Sequence, residues 1–290
     1  MFRELFGIGS FQVHSFGAMM AAGFIAAMFL MDRLNKRYGS LPPSLDISSF
    51  LMWIIIGGIA GARLCHVVEY WRQDGFAGDP ARIFKLWEGG LVFYGGFAGA
   101  AVAFFAFCRK YRKERSVADF SDLLLCGLPL GHAFGRIGCF LNGCCYGSRA
   151  EGALSWLGVS FPPLSDASYE QARLGLLARP SLPSLPVLPV QLFEAAFLLM
   201  LAALLVFLYA KTRKAGTAKG LPTGVYLFSY AAFRFLIEFL RGDDRPELGS
   251  LSSAQMFSIP LAAVGVWFFV RAVRSAARAE AATSKSSPAA

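Results

Sequence analysis

Hydrophobic residues fall along this chain in runs of about twenty separated by short polar connections, the pattern of helices long enough to cross a bilayer. The first run covers Phe11 to Met31 and the second Ile47 to Tyr70. The third opens around Tyr94 and ends at Cys108, and the fourth extends from Val117 to Asn142. Gly143 to Val190 is too polar to span, and Pro162, Pro163, Pro180, Pro183, Pro186 and Pro189 break any long helix there. Gln191 to Ala210, Thr223 to Leu240 and Ala254 to Val270 complete the series. The pattern predicts an all-α, polytopic membrane protein with seven transmembrane helices in one domain over 1–272. A small irregular outer cap is inserted at 143–190, and an Ala-, Ser- and Arg-rich tail, 273–290, is expected to be disordered.

Composition agrees with this reading, since 56% of residues are hydrophobic and phenylalanine alone supplies 28. The formal charge of +9 raises nucleic acid as a partner, but its distribution argues against that. The basic residues cluster at Arg33 to Arg37, Arg109 to Arg115, Lys211 to Lys219 and Arg271 to Lys285, after every second apolar run. That alternation is the positive-inside pattern and puts the N-terminus outside and the C-terminus in the cytoplasm. The first run has neither the basic region nor the small-residue cleavage site of a signal peptide, so it is expected to stay as a membrane helix.

Polar residues inside apolar runs carry the candidate chemistry. Arg63, His66 and Glu69 recur at helical spacing on the second run, either as a satisfied interhelical cluster or as a substrate contact. Glycine pairs at 89–90 and 95–96 flank Tyr94 and permit close helix approach. The fourth run ends in GHAFGRIGCFLNGCCYG, which places Arg136 in an apolar segment at a cost of about 2.5–3.5 kcal/mol, so a functional reason is sought for it. Tyr230, Arg234 and Glu238 are spaced by four on the sixth run. Singly, Arg234 with Glu238 reads as a helix pair and Arg241 as a snorkelling residue. Together, Arg136, Arg234 and Arg241 fall at the outer ends of their helices, with Tyr94 and His14 at the same depth. Several arginines on one side make a site for phosphate or another anion, such as a lipid headgroup.

Cys139, Cys144 and Cys145 stand close in sequence and leave three readings open: a metal site, a disulfide, or small packing side chains. Their spacing matches no standard zinc pattern, and histidine and carboxylate ligands are not clustered with them, so no metal and no organic cofactor is expected. Cys65, Cys108 and Cys126 read as buried helix residues. The chain has no Gly-x-Ser-x-Gly elbow, no His-Glu-x-x-His helix, and neither a dinucleotide nor a phosphate-loop motif, which counts against hydrolases and nucleotide-binding proteins.

GRIGCFLNGCCYG, EGGLVFYGG, PVQLFEA, YAAFRFLIEFLRGDD and SSAQMFSIP, spread over nearly the whole length, together resemble bacterial prolipoprotein diacylglyceryl transferase. The resemblance implies an inner-membrane enzyme that moves the diacylglyceryl group of phosphatidylglycerol onto the lipobox cysteine of a prolipoprotein signal peptide, releasing glycerol phosphate. It also implies seven helices with the N-terminus outside. Arg136 and Arg234 match arginines essential in that family, while Asn142, Gly147, Glu238 and Arg241 occupy matching motif positions. His14 and Arg63 are further candidate substrate contacts, and Tyr94 a candidate catalytic residue. Three positions depart from the family pattern: Tyr94 replaces a common histidine, Phe16 a tyrosine and Cys139 an asparagine. Two alternatives remain beside this function. One is lipid-to-thiol transfer with another acceptor; the other is a lipid or anion transporter, disfavoured by the few charged residues in the inner halves of the helices.

Overall fold

The computed structural model describes residues 4–8, 11–73, 75–86, 89–243, 247–248 and 251–286. It is helical nearly throughout, and it divides into two compact units, residues 32–120 and residues 1–31 with 121–290.

The 32–120 unit contains the end of α1 (Ser15–Tyr38), then α2 (Ile47–Glu69) and α3 (Phe93–Lys110). Asp46 caps α2 by accepting from the Ser49 amide at 2.8 Å, which satisfies one of the amides left open at a helix start. α2 and α3 lie against each other along glycines. A methyl group on Gly61 would sit 2.4 Å from the Gly95 carbonyl oxygen, and one on Gly99 would sit 2.3 Å from the Gly57 carbonyl oxygen. The glycine pairs therefore serve the close approach expected of them. Gly99→Val is expected to lower stability by about 1–3 kcal/mol, because backbone cannot yield as a side chain can. A thermal midpoint in detergent equal to that of the parent protein would rule this out. Phe50, Phe107 and Phe120 fill the far end of the seam, with ring centroids 5.1–6.0 Å apart.

The second unit holds β1 (Glu4–Ile8), β2 (Phe11–His14), most of α1, α4 (Val117–Asn142), α5 (Asp166–Arg173), α6 (Val190–Ala215), α7 (Leu221–Ile237) and α8 (Ser253–Ser286). A two-residue strand pair, β3 (Glu247–Leu248) with β4 (Leu251–Ser252), precedes α8. Near the start of α4 a fully buried carboxylate ties three segments together. Asp122 accepts from the Thr223 hydroxyl (2.6 Å) and amide (3.1 Å) and from the Gly220 amide (2.9 Å), and it pairs with Arg213 Nη2 at 3.1 Å.

Six helices among the described residues are long and apolar enough to cross a membrane: α1, α2, α4, α6, α7 with its 3₁₀ extension to Leu240, and α8. Large apolar side chains on them point outward. Phe29, Leu64, Phe207 and Trp267 are each more than half exposed within the chain, as lipid-facing residues should be. α3 is not among the six, because three glycines dilute its 18 residues and Arg109 and Lys110 close it.

Several boundaries differ from the sequence expectation. Phe11–His14 is a strand paired antiparallel with Glu4–Ile8, so the first helix starts at Ser15, and it continues past Met31 to Tyr38. The Asp32–Lys36 ion pair at 2.7 Å and the basic last turn support that extension. α8 likewise runs on past Val270 to Ser286, through a stretch expected to lack structure, where alanine gives strong helix propensity. Residues 143–189 carry more regular structure than expected: a 3₁₀ turn at Gly152–Leu157, the Ser165-capped α5, and a pairing of Val159 with Val187. Tyr146, Phe161, Ala167 and Val187 form an apolar core beneath them. Prolines exclude a long helix here but not this one of eight residues, which the Gln171 side chain fastens to both ends of the Leu185 peptide unit's neighbourhood by accepting from its amide (2.7 Å) and donating to its carbonyl (3.3 Å).

Candidate active site

The last turns of α4 place His132, Arg136 and Cys139 on one face, at spacings of four and three. Arg136 Nε donates to His132 Nε2 at 3.3 Å and forms an ion pair with Glu194 Oε2, 3.1 Å away. Glu194 is in the second turn of α6, only 1% exposed, where the positive end of the helix dipole favours a carboxylate. Its other oxygen, Oε1, is buried without a hydrogen-bond partner and lies 3.7 Å from His132 Nε2. From α7, Tyr230 sets its ring edge-on to His132 at 5.5 Å. Ala133, Ala195 and Leu198 pack beneath this group, so three helices hold it in place.

Two more arginines lie in the same unit. Arg234 Nη1 pairs with Glu238 at 2.5 Å, both side chains less than a tenth exposed. Arg241 makes a two-pronged pair with Asp243, each contact 2.8 Å. The backbone around Arg241 is pinned as well: it bridges to Gly147, the Ser148 amide donates to Leu240, and the Gly147 amide donates to Leu188. A Cβ at Gly147 would sit 2.7 Å from the Leu188 carbonyl oxygen, so only glycine lets these three segments meet. Asn142 ends α4, and the loop after it brings the Cys144 and Cys145 sulfurs to that of Cys139, all within 4.8 Å of one another. Each arginine thus has a carboxylate partner, and the group is a set of neutralised pairs where the sequence suggested bare cations.

The sequence profile of the family described as prolipoprotein diacylglyceryl transferase matches residues 3–271. A phosphatidylglycerol–prolipoprotein diacylglyceryl transferase of Clostridium tetani is 32% identical over 92% of this chain and 94% of its own. Its counterpart in Legionella pneumophila is 32% identical over 91% and 94%. The second such protein of Clostridium perfringens is 30% identical over 92% of both. The chain belongs to the prolipoprotein diacylglyceryl transferase family.

As a member of this transferase family and with six apolar helices, the chain is a multi-pass membrane enzyme. The structure brings Arg136, Arg234, Glu238, Arg241, Asn142 and Gly147 into one unit. His14 belongs to that unit too, exposed at the end of β2. Tyr94, half exposed on α3, and Arg63 lie in the 32–120 unit. Of the two readings of Arg63, the structure supports the satisfied cluster. Its guanidinium donates to the carbonyls of Ile83 (2.9 Å), Gly89 (2.7 Å), Gly90 (3.1 Å), Arg82 (2.5 Å) and Lys85 (3.4 Å), which occupies all five N–H groups. It organises the loop before α3. The sequence motif PVQLFEA contains Glu194, and GHAFGRIGCFLNGCCYG contains His132, but neither residue is singled out by the sequence reading. A carboxylate within the apolar opening of α6 was the available signal for Glu194.

Proposed function

We propose that this transferase moves the diacylglyceryl group of phosphatidylglycerol to the lipobox cysteine thiol of prolipoproteins, releasing glycerol phosphate, in the bacterial inner membrane. The observation that carries the proposal is the buried Arg136–Glu194 pair beside His132 and Tyr230, in a chain matched to this family over nearly its full length. Seven spans, with α3 as the third, and the alternation of basic clusters support an outer N-terminus and a cytoplasmic C-terminus.

In the reaction the acceptor thiol, with an ordinary pKa near 8.5, gives up its proton, and its sulfur attacks the glycerol carbon of the lipid. The carbon–oxygen bond breaks, and its electron pair leaves on the phosphate oxygen. Arg136 is anchored to Glu194 through Nε, which leaves its Nη edge to face that phosphate in a low-dielectric setting, where a fixed cation stabilises developing charge better than water does. Arg234, held by Glu238, supplies the second guanidinium. Asn142 and Gly147 shape the headgroup pocket, with Arg241 and His14 as outer contacts, while Arg63 holds the loop before α3. Tyr94 orients the lipid and carries no proton.

The test is mass spectrometry of a lipobox peptide incubated with the purified protein and phosphatidylglycerol. A diacylglyceryl adduct is expected; its absence from folded protein would sink the proposal. In the same assay Tyr94→Phe is expected to keep near-normal turnover, and a large loss would make the hydroxyl a proton carrier. Glu194→Gln keeps the shape but removes the charge that aims Arg136. A roughly 10–100-fold loss of kcat is expected, from the 1.5–3 kcal/mol of a charge-assisted hydrogen bond.

A further inference from the structure

The three sulfurs of Cys139, Cys144 and Cys145 are unused by the proposed reaction, yet the fold goes out of its way to bring them together. Cys139 is in the last turn of α4, and the chain must reverse within five residues for Cys144 and Cys145 to return to it. Gly143, at φ +80°, makes the first half of that reversal. Cys145 makes the second with φ +61°, a left-handed conformation that a non-glycine residue adopts at a cost and that clusters at functional sites. The loop is fixed on all sides. The amides of Gly143 and Cys144 donate to the Cys139 carbonyl at 3.0 and 3.2 Å, and the buried Gln191 side chain donates to the Cys144 carbonyl at 2.8 Å. All three thiols are free; Cys139 is buried, and Cys144 and Cys145 are half-buried.

We propose that Cys139, Cys144 and Cys145 form a three-thiolate site for one thiophilic d¹⁰ cation, of the Zn²⁺ or Cu⁺ class. Zn–S bonds of about 2.3 Å put thiolates about 3.8 Å apart around a tetrahedral ion, so sulfurs already within 4.8 Å need to close by about 1 Å or less. Soft sulfur ligands select these ions over magnesium or calcium. A disulfide would use two of the sulfurs and leave the third gathered beside them without a role. Apolar packing would not require the reversal at all. The spacing of these cysteines matches no standard zinc pattern, because the sulfurs converge only through the turn at Gly143 and Cys145. Three protein ligands leave a tetrahedral ion one position for a ligand from outside.

The test uses the full chain, purified in detergent and reduced, dialysed against buffered Zn²⁺ or Cu⁺ and assayed by elemental analysis. About one ion per chain is expected with either metal, falling to background in the C139S/C144S/C145S triple variant and unchanged in Cys65→Ser. Should the triple variant not fold, Cys144→Ser and Cys145→Ser singly are each expected to weaken retention at least tenfold. Wild-type protein that retains no more of either metal than the serine variants overturns the site. So does thiol counting that finds two of the three oxidised in protein isolated without reductant. The readout is metal bound, so a negative result leaves the transferase reading untouched.

Discussion

Arg136→Ala is expected to slow diacylglyceryl transfer about 10³-fold, the scale of removing a preorganised group that meets developing charge. The substitution also strands Glu194, whose carboxylate is almost fully buried and would lose its cation. Breaking such a pair from one side is strongly destabilising, so a fall in activity alone is ambiguous. Two companions resolve it. Arg136→Ala combined with Glu194→Ala removes both charges, so it is expected to recover most of the folded protein and none of the activity. Arg136→Lys keeps a charge but not the planar fork, and is expected to retain a small fraction of turnover. Activity returning in the double variant would show that Arg136 serves the fold only. Adduct formation by mass spectrometry, beside thermal midpoints, reads both quantities.

Asp122→Ala is expected to lower stability by about 3–5 kcal/mol, the largest structural effect of any single change considered. One carboxylate there satisfies a hydroxyl, two amides and a guanidinium, from α7, the turn before it and the end of α6. Removing it leaves Arg213, itself buried, beside open amide donors in an apolar setting. Asp122→Asn is expected to cost less, since one amide oxygen still accepts from Thr223. Asp122→Leu with Arg213→Met, which removes both charges, is expected to recover much of the loss. A denaturation midpoint for Asp122→Ala within experimental error of the parent would remove this residue from the account.

Much of the fold is legible from periodicity. α4 occupies the span expected of it, α2 ends one residue short of it, and the Arg234–Glu238 spacing of four becomes a contact. Local rules reach these because helix period and i,i+4 proximity are properties of one segment. What periodicity does not report is which helix neighbours which. Glu194 meets Arg136 across 58 residues of sequence, and Asp122 meets Thr223 across 101, so neither pair is visible as a spacing. β2 and α5 fail for another reason. Each is short, and its structure is decided by pairing with Glu4–Ile8 in one case and by a serine cap and Gln171 in the other. The cysteine group was seen as a cluster of letters but not as a cluster of sulfurs, because a backbone reversal at two positive φ values stands between the two.

The strip of backbone at 146–149 receives hydrogen bonds from, or gives them to, residues 187–188 and 240–242. During synthesis, then, this strip cannot be completed when α4 is made. It waits for about a hundred further residues, roughly 5–20 s at ordinary elongation rates. The carboxylate of α6, Glu194, is made before Leu240 and Gly242, so the hydrogen bonds of this strip are completed after that carboxylate is in the chain. A chain halted before residue 242 therefore carries Arg136 while the backbone strip after α4 still lacks its last partner.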